Sequence, residues 1–143
     1  MAQVTLVNGL AGGVIATVVM TVFMMALGDD SPPPTAIFWS EYVGDGAPDE
    51  YMMPGMILHV LYGLGAGVAF GVVLPVVGFT TAALAVAAGL GLGYGIVLFV
   101  VAAGFWMNVV LDLDVEPPQV AMFLFFHLVY GVVLGAWVGA GVL

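Results

Sequence analysis

Four long apolar runs divide the chain, and its charged residues all lie in the stretches between them. The first run is roughly Val4–Leu27. The second starts near Pro54 and reaches about Val77, the third is roughly Thr81–Leu111, and the fourth opens at Pro117-Pro118 and continues nearly to Leu143. Each run has the ~20 apolar residues that cross a hydrocarbon core as a helix, and the third is long enough to tilt or project beyond it. Residues 28–53 form the one long polar stretch. Gly28 suits the end of the first helix. Asp29-Asp30-Ser31-Pro32-Pro33-Pro34 then extends the chain, because a residue before proline is pushed out of the α region. Thr35 predicts the N-cap of a short helix to Val43, closed by Gly44. The Phe38, Trp39 and Tyr42 rings fall mainly on one side of it, as in an interfacial helix. Pro54 is acceptable in a first helical turn, and Pro75 is expected to distort or end the second helix. The turn Val77–Thr80 is short enough to make spans two and three antiparallel neighbours.

Small residues recur within the runs at helical spacing. Gly9, Gly13, Thr17 and Thr21 form one stripe; Ala85, Gly89 and Gly93 form another, beside Ala87, Gly91 and Gly95. Such stripes let helix backbones approach closely in a bilayer. Thr17 and Thr21 can return their hydroxyls to the carbonyl one turn back, so neither needs an outside partner. The pattern H-x-x-Y-G-x-x-x-G-x-x-x-G is written twice. It occurs as His59, Tyr62, Gly63, Gly67 and Gly71, and again as His127, Tyr130, Gly131, Gly135 and Gly139. These are the only two histidines. A looser match precedes each motif: Phe23-Met24-Met25 before acids and prolines, then Phe105-Trp106-Met107 before acids and prolines. The expected fold is an all-α, integral membrane four-helix bundle made of two parallel helical-hairpin repeats. It forms a single domain over 1–143. Repeat one is 4–77 with the inserted loop 28–53, and repeat two is 80–143. Two parallel repeats imply a pseudo-two-fold axis along the membrane normal.

Composition narrows the chemistry. Of 143 residues, 64% are hydrophobic and 6% charged, far from the balance of a soluble domain. No basic region precedes the first run and no cleavage-type site follows it, so it reads as a retained span. There is no cysteine, which removes disulfides, iron–sulfur ligation and thiolate chemistry, and no lysine for a Schiff base. Without arginine or lysine, nucleic-acid binding is not expected. The net charge of −9 comes from Asp29, Asp30, Glu41, Asp45, Asp49 and Glu50 in one loop and Asp112, Asp114 and Glu116 in the other. Four spans put both loops on one face. The termini are expected in the cytoplasm and the acidic loops outside a cell membrane, although no Lys or Arg is present to orient the chain. The acid-rich, lysine-free surface suits a halophile.

Three stretches resemble an uncharacterised family of small four-helix membrane proteins of bacteria and archaea, known only as a domain of unknown function. They are Gly9–Thr21, the Pro-Pro after span one, and the closing His127-Leu-Val-Tyr-Gly-Val-Val-Leu-Gly135. The resemblance covers most of the chain except Asp45–Glu50. It implies the four-helix fold and a role for the histidine positions, and no activity.

The histidines head glycine faces, since positions four apart drift by only about 40° on a helix. They lie about 7.5 Å inside Pro54 and about 13.5 Å inside Pro118, at ~1.5 Å per residue. If spans two and four face each other, the two imidazoles converge. His59 and His127, with Tyr62 and Tyr130 nearby, then become candidate ligands or neighbours of a b-type haem, with glycines leaving space for the macrocycle. No Arg or Lys is available for its propionates. In the plainer alternative, each neutral ring bonds a backbone carbonyl or a motif tyrosine. Met20, Met24 and Met56, on the same side as the histidines, suggest Cu(I) ligands, or simply gap-filling side chains. Asp112-x-Asp114-x-Glu116 reads as a hydrated rim. No nucleophile–base set is present, so no enzyme is expected.

The leading expectation is a non-catalytic membrane subunit or scaffold that packs through Gly9, Gly13, Gly63, Gly67, Gly71, Gly89, Gly93, Gly131, Gly135 and Gly139. It would belong to a homo-oligomer or a larger, respiratory-type assembly in the lipid bilayer, with no cofactor. The alternatives are haem b or Cu(I) binding by His59 and His127, and a small-solute or ion channel.

Overall fold

The first helix begins where the sequence offers a cap. In the computed structural model, which describes residues 1–143, the Thr5 hydroxyl accepts from the Asn8 N–H at 3.1 Å and α1 runs Leu6–Leu27. Its end is closed by the Gly28 N–H on the Met24 carbonyl. The short helix α2 spans Pro34–Tyr42 and starts two residues earlier than expected. Pro34 fixes the first helical φ and needs no N–H partner, so Pro33 takes the cap position. Thr35 then falls inside the helix, makes no cap bond, and its buried hydroxyl has no hydrogen-bond partner. A 3₁₀ turn over Pro48–Tyr51 leads into α3, Met52–Val76, with Pro75 in its last turn. After Gly78, at φ +101°, the chain enters α4, Leu84–Phe99. That helix continues without a break as a π-helical segment, Val100–Val110. Asp112 follows in the left-handed region, at φ +47°. Pro117 occupies the first turn of α5, Pro117–Ala140, and Gly141 at φ +65° ends it.

The fold is all-helical, and four of its helical stretches are long and apolar enough to cross a membrane: Leu6–Leu27, Pro48–Val76, Leu84–Val110 and Pro117–Ala140. Their bulky aliphatics, including Val7, Val14, Val18, Ile57, Val97 and Val109, point outward, whereas Ala16, Ala66, Ala87 and the motif glycines lie inside. Lipid tails solvate valine as well as a protein core does. Association therefore rests on close packing, which small residues permit.

Glycines make the two closest seams. Antiparallel α1 and α3 meet where a Cβ added at Gly13 would stand 3.0 Å from the Gly67 Cα, and one at Gly9 would stand 2.8 Å from the Gly71 Cα. Antiparallel α4 and α5 meet where a Cβ at Gly91 would stand 2.8 Å from the Gly135 Cα, and one at Gly139 would stand 2.8 Å from the Leu84 Cα. The two pairs join along α1 and α5, where Gly12 faces Leu134 and Trp137, and Phe23 meets Phe125 at 5.9 Å. Gly89 and Gly93 take no part in these seams. Nothing lies within 4 Å of a Cβ placed at either.

Despite their short connection, α3 and α4 touch chiefly through one side chain. Tyr94 donates its hydroxyl to the Ala66 carbonyl at 2.8 Å, and its ring lies 5.1 Å from Phe70. Each of these helices has already committed its glycine face to another partner, so the gap between them stays wide. The end that carries the termini is tied by a small ribbon, β1 (Ala2–Gln3) against β2 (Thr81–Ala82), and by Asn8 Nδ2, which donates to the Gln3 and Leu143 carbonyls at 3.0 Å each. The acidic end is crossed by α2. There Ala36 packs on Gly55, Phe38 lies edge-on to Trp106 at 5.9 Å, and the Tyr42 hydroxyl donates to the Val110 carbonyl at 2.8 Å.

Candidate functional site

The gap between α3 and α4, roofed by α2, is a cavity of about 220 Å³. Its walls carry His59 and Tyr62 from α3, His127 and Tyr130 from α5, and Met20 and Met24 from α1. Six of the seven candidate ligands read from the sequence are thus brought together. Met56, the seventh, is absent from the lining, which on α3 runs through Leu58, His59, Tyr62, Gly63 and Ala66. The walls also include Thr35, Phe38, Trp106, Met107 and Phe123, none of which carried a site signal in the sequence. Leu98, Ala102 and Met107 enter from α4 and its π-helical extension, and Leu111 from the residue that follows it. The cavity is overwhelmingly apolar, and no Asp or Glu side chain lines it.

The two histidines stand at similar depth. His59 Nε2 lies 3.2 Å from Thr21 Oγ1. The antiparallel register of α1 and α5, set by Phe23 with Phe125 and Gly12 with Leu134, brings His127 close to the same level. Thr21 is about 9 Å from the acidic end of α1, at ~1.5 Å per residue.

Their hydrogen bonds differ. Thr17 donates to the Gly13 carbonyl and Thr21 to the Thr17 carbonyl, each at 2.7 Å, as i−4 back-bonding predicts. The Thr21 hydroxyl proton is therefore spent, and Thr21 Oγ1 accepts from His59 Nε2–H. The expected partner of His59 was a carbonyl or a tyrosine; it is instead this threonine, across the α1–α3 seam. His127 follows the plainer expectation. Its Nδ1 lies 2.8 Å from the Phe123 carbonyl, one turn back on its own helix, and a carbonyl can only accept. Phe123 and Phe99 flank the ring edge-on, at 4.5 and 6.2 Å. Tyr130 donates to the Gly63 carbonyl, so the tyrosine of one motif bonds the first glycine of the other.

The glycine faces below the histidines leave no slot for a flat macrocycle. Gly63 is covered by Thr17, Gly67 by Gly13, and Gly131 by the Gly91 and Gly95 backbone. The donor set that does face the cavity is imidazole nitrogen with the thioethers of Met20, Met24 and Met107, a combination that suits soft cations. No three His, Cys, Asp or Glu side chains gather at one point.

Comparison with protein-family models, with curated proteins and with solved structures found no match to this chain.

Proposed function

We propose that this is a non-catalytic, multi-pass membrane protein that holds a small, largely apolar molecule in the cavity between its helix pairs. The observation that carries the reading is the convergence of both histidines and both motif tyrosines on one otherwise apolar cavity. Binding sites for small molecules take this form, with apolar walls and a few oriented polar groups. Ionisable side chains inside a span mark sites by default, because their burial is costly. On this reading the α1–α3 and α4–α5 pairs are parallel repeats of one ancestral hairpin. The cavity lies where their axis would run, α2 is an interfacial lid, and the acidic loops face outward from the cell.

The test is recovery of the molecule. Native mass spectrometry of protein extracted from its own membranes should show a bound small molecule. Ala102→Phe, which pushes an aromatic ring from a buried wall position into the cavity, should lose it. Equal recovery from both proteins would overturn the reading.

A second reading, compatible with the first, is favoured by the outward stripe of Ala85, Gly89 and Gly93, which the chain's own packing does not use. It makes the protein a subunit of a homo-oligomer or of a larger membrane complex that packs along α4. Gly89→Leu would then change the size of the detergent-extracted particle, and an unchanged size would reject this reading.

A further inference from the structure

We infer that the molecule held in this cavity presents a hydroxyl of the phenol or alcohol class, donating its proton to the bare nitrogen of His59 or of His127. This rests on the cavity-binding reading above and adds the polarity of the ligand's head.

The polar atoms of the wall have largely spent their protons. Thr17 donates to the Gly13 carbonyl, Thr21 to the Thr17 carbonyl and Tyr130 to the Gly63 carbonyl. His127 uses its Nδ1 proton on the Phe123 carbonyl. His59 uses its Nε2 proton on Thr21 Oγ1, which has no proton left to give in return. No carboxylate stands on the wall to balance an imidazolium, and an unpaired charge is costly to bury, so each ring carries a single proton. Each ring therefore keeps one unprotonated nitrogen, Nδ1 on His59 and Nε2 on His127, and neither has a partner within the chain. The two rings are held in opposite tautomers, yet both offer an acceptor.

An acceptor on an apolar cavity wall without a donor forfeits a hydrogen bond, so the complementary ligand brings one. A ligand with only carbonyl or ether oxygens would set acceptor against acceptor. A hydroxyl donates to a histidine nitrogen and can itself accept from the Thr35 hydroxyl, which is buried on the same wall without a partner. The Phe38, Trp106 and Phe123 rings then enclose an apolar body.

The test uses the whole protein in lipid nanodiscs and two probes of nearly the same shape, 4-propylphenol and its methyl ether 4-propylanisole, with binding measured by calorimetry. The phenol should bind at least roughly tenfold more tightly, because a site built to pair a hydroxyl discriminates strongly against an analogue that lacks one. In ¹⁵N spectra of histidine-labelled protein, the phenol should shift an unprotonated nitrogen, His59 Nδ1 or His127 Nε2, while the protonated nitrogens move little. Thr21→Val, which removes only the partner of His59, should leave the fold intact and shrink the phenol preference. Equal affinity for phenol and ether, or tighter binding of the ether, would overturn the inference while sparing the cavity reading. Binding of neither probe would overturn the cavity reading itself.

Discussion

In the α1–α3 pair, His59 reaches across the glycine seam to Thr21. In the α4–α5 pair, Phe99 stands edge-on to His127, and the ring bonds its own helix at the Phe123 carbonyl. Both pairs carry H-x-x-Y-G-x-x-x-G-x-x-x-G, and both close glycine against glycine. The difference separates two jobs that the motif combines. Its glycines set how closely two backbones approach, and that outcome is the same in both pairs. Its histidine takes whatever the facing helix offers, and that outcome diverges. A second divergence follows directly: α1 stays α-helical to Leu27, whereas α4 turns π-helical at Val100, just beyond Phe99. π-Helical turns are rare and favour functional sites, and this one carries Ala102, Trp106 and Met107 on the cavity wall.

The seams give the largest expected effects. Gly67→Val and Gly135→Val should each destabilise the protein by about 3 kcal/mol, the upper part of the range for overpacking, because the added carbons meet backbone that cannot move aside. Gly89→Val, facing open space, should change the stability of the single chain by no more than ~0.5 kcal/mol. Unfolding in mixed micelles on titration with a denaturing detergent measures all three. If Gly67→Val and Gly89→Val cost the same, the seam is not what holds the pair.

Next is the bond between the pairs. Tyr130→Phe removes the hydroxyl on the Gly63 carbonyl and should cost ~1 kcal/mol, within the range of interhelical hydrogen bonds in membranes. An unchanged stability would mean that Tyr130 matters mainly through its ring, which phenylalanine keeps.

The third prediction addresses the histidines directly. Thr21→Val should cost ~0.5–1.5 kcal/mol, one net hydrogen bond. It should leave His59 a mixture of tautomers in ¹⁵N spectra and leave His127 protonated on Nδ1. A matching change at His127 would show that the two rings are coupled and the comparison is false.

The smallest effect lies in the loop after α1. The Ser31 hydroxyl and N–H both donate to Asp29, the N–H at 3.1 Å, and hold its carboxyl below the usual carboxylate range. A depressed value means that the contact favours the folded loop at neutral pH, and that this contribution disappears as pH falls through the Asp29 titration. Ser31→Ala should raise the Asp29 midpoint in a carboxyl ¹³C titration without changing the unfolding transition at pH 7, since Asp29 is fully exposed. An unmoved midpoint would remove Ser31 as the cause.

Helix positions were legible because apolar runs, prolines and glycines are local signals. Gly28 and Pro117 mark ends that the structure uses. The glycine stripes named surfaces without naming partners. The stripe with Ala87, Gly91 and Gly95 is the one that packs, whereas Gly89 and Gly93 face outward, and nothing in their spacing separates the two. The width of the α3–α4 gap was hidden for the same reason. A short turn limits how far apart two helix ends can be, but each helix had a better glycine partner elsewhere. The π-helical segment has no period in the sequence that distinguishes it from α. The Thr21–His59 bond was masked because Thr21 satisfies its own donor locally and still has a lone pair to give.

The ribbon between Ala2–Gln3 and Thr81–Ala82 has a mechanical consequence. It fastens the start of α1 to the start of α4 at the end remote from the histidines, while the gap between α3 and α4 is bridged by the Tyr94 hydroxyl and α5 is tied to α3 by that of Tyr130. The molecule is thus built like tongs with a fixed rivet. A change in the angle between the jaws would be small at the ribbon and largest under α2, the roof of the cavity.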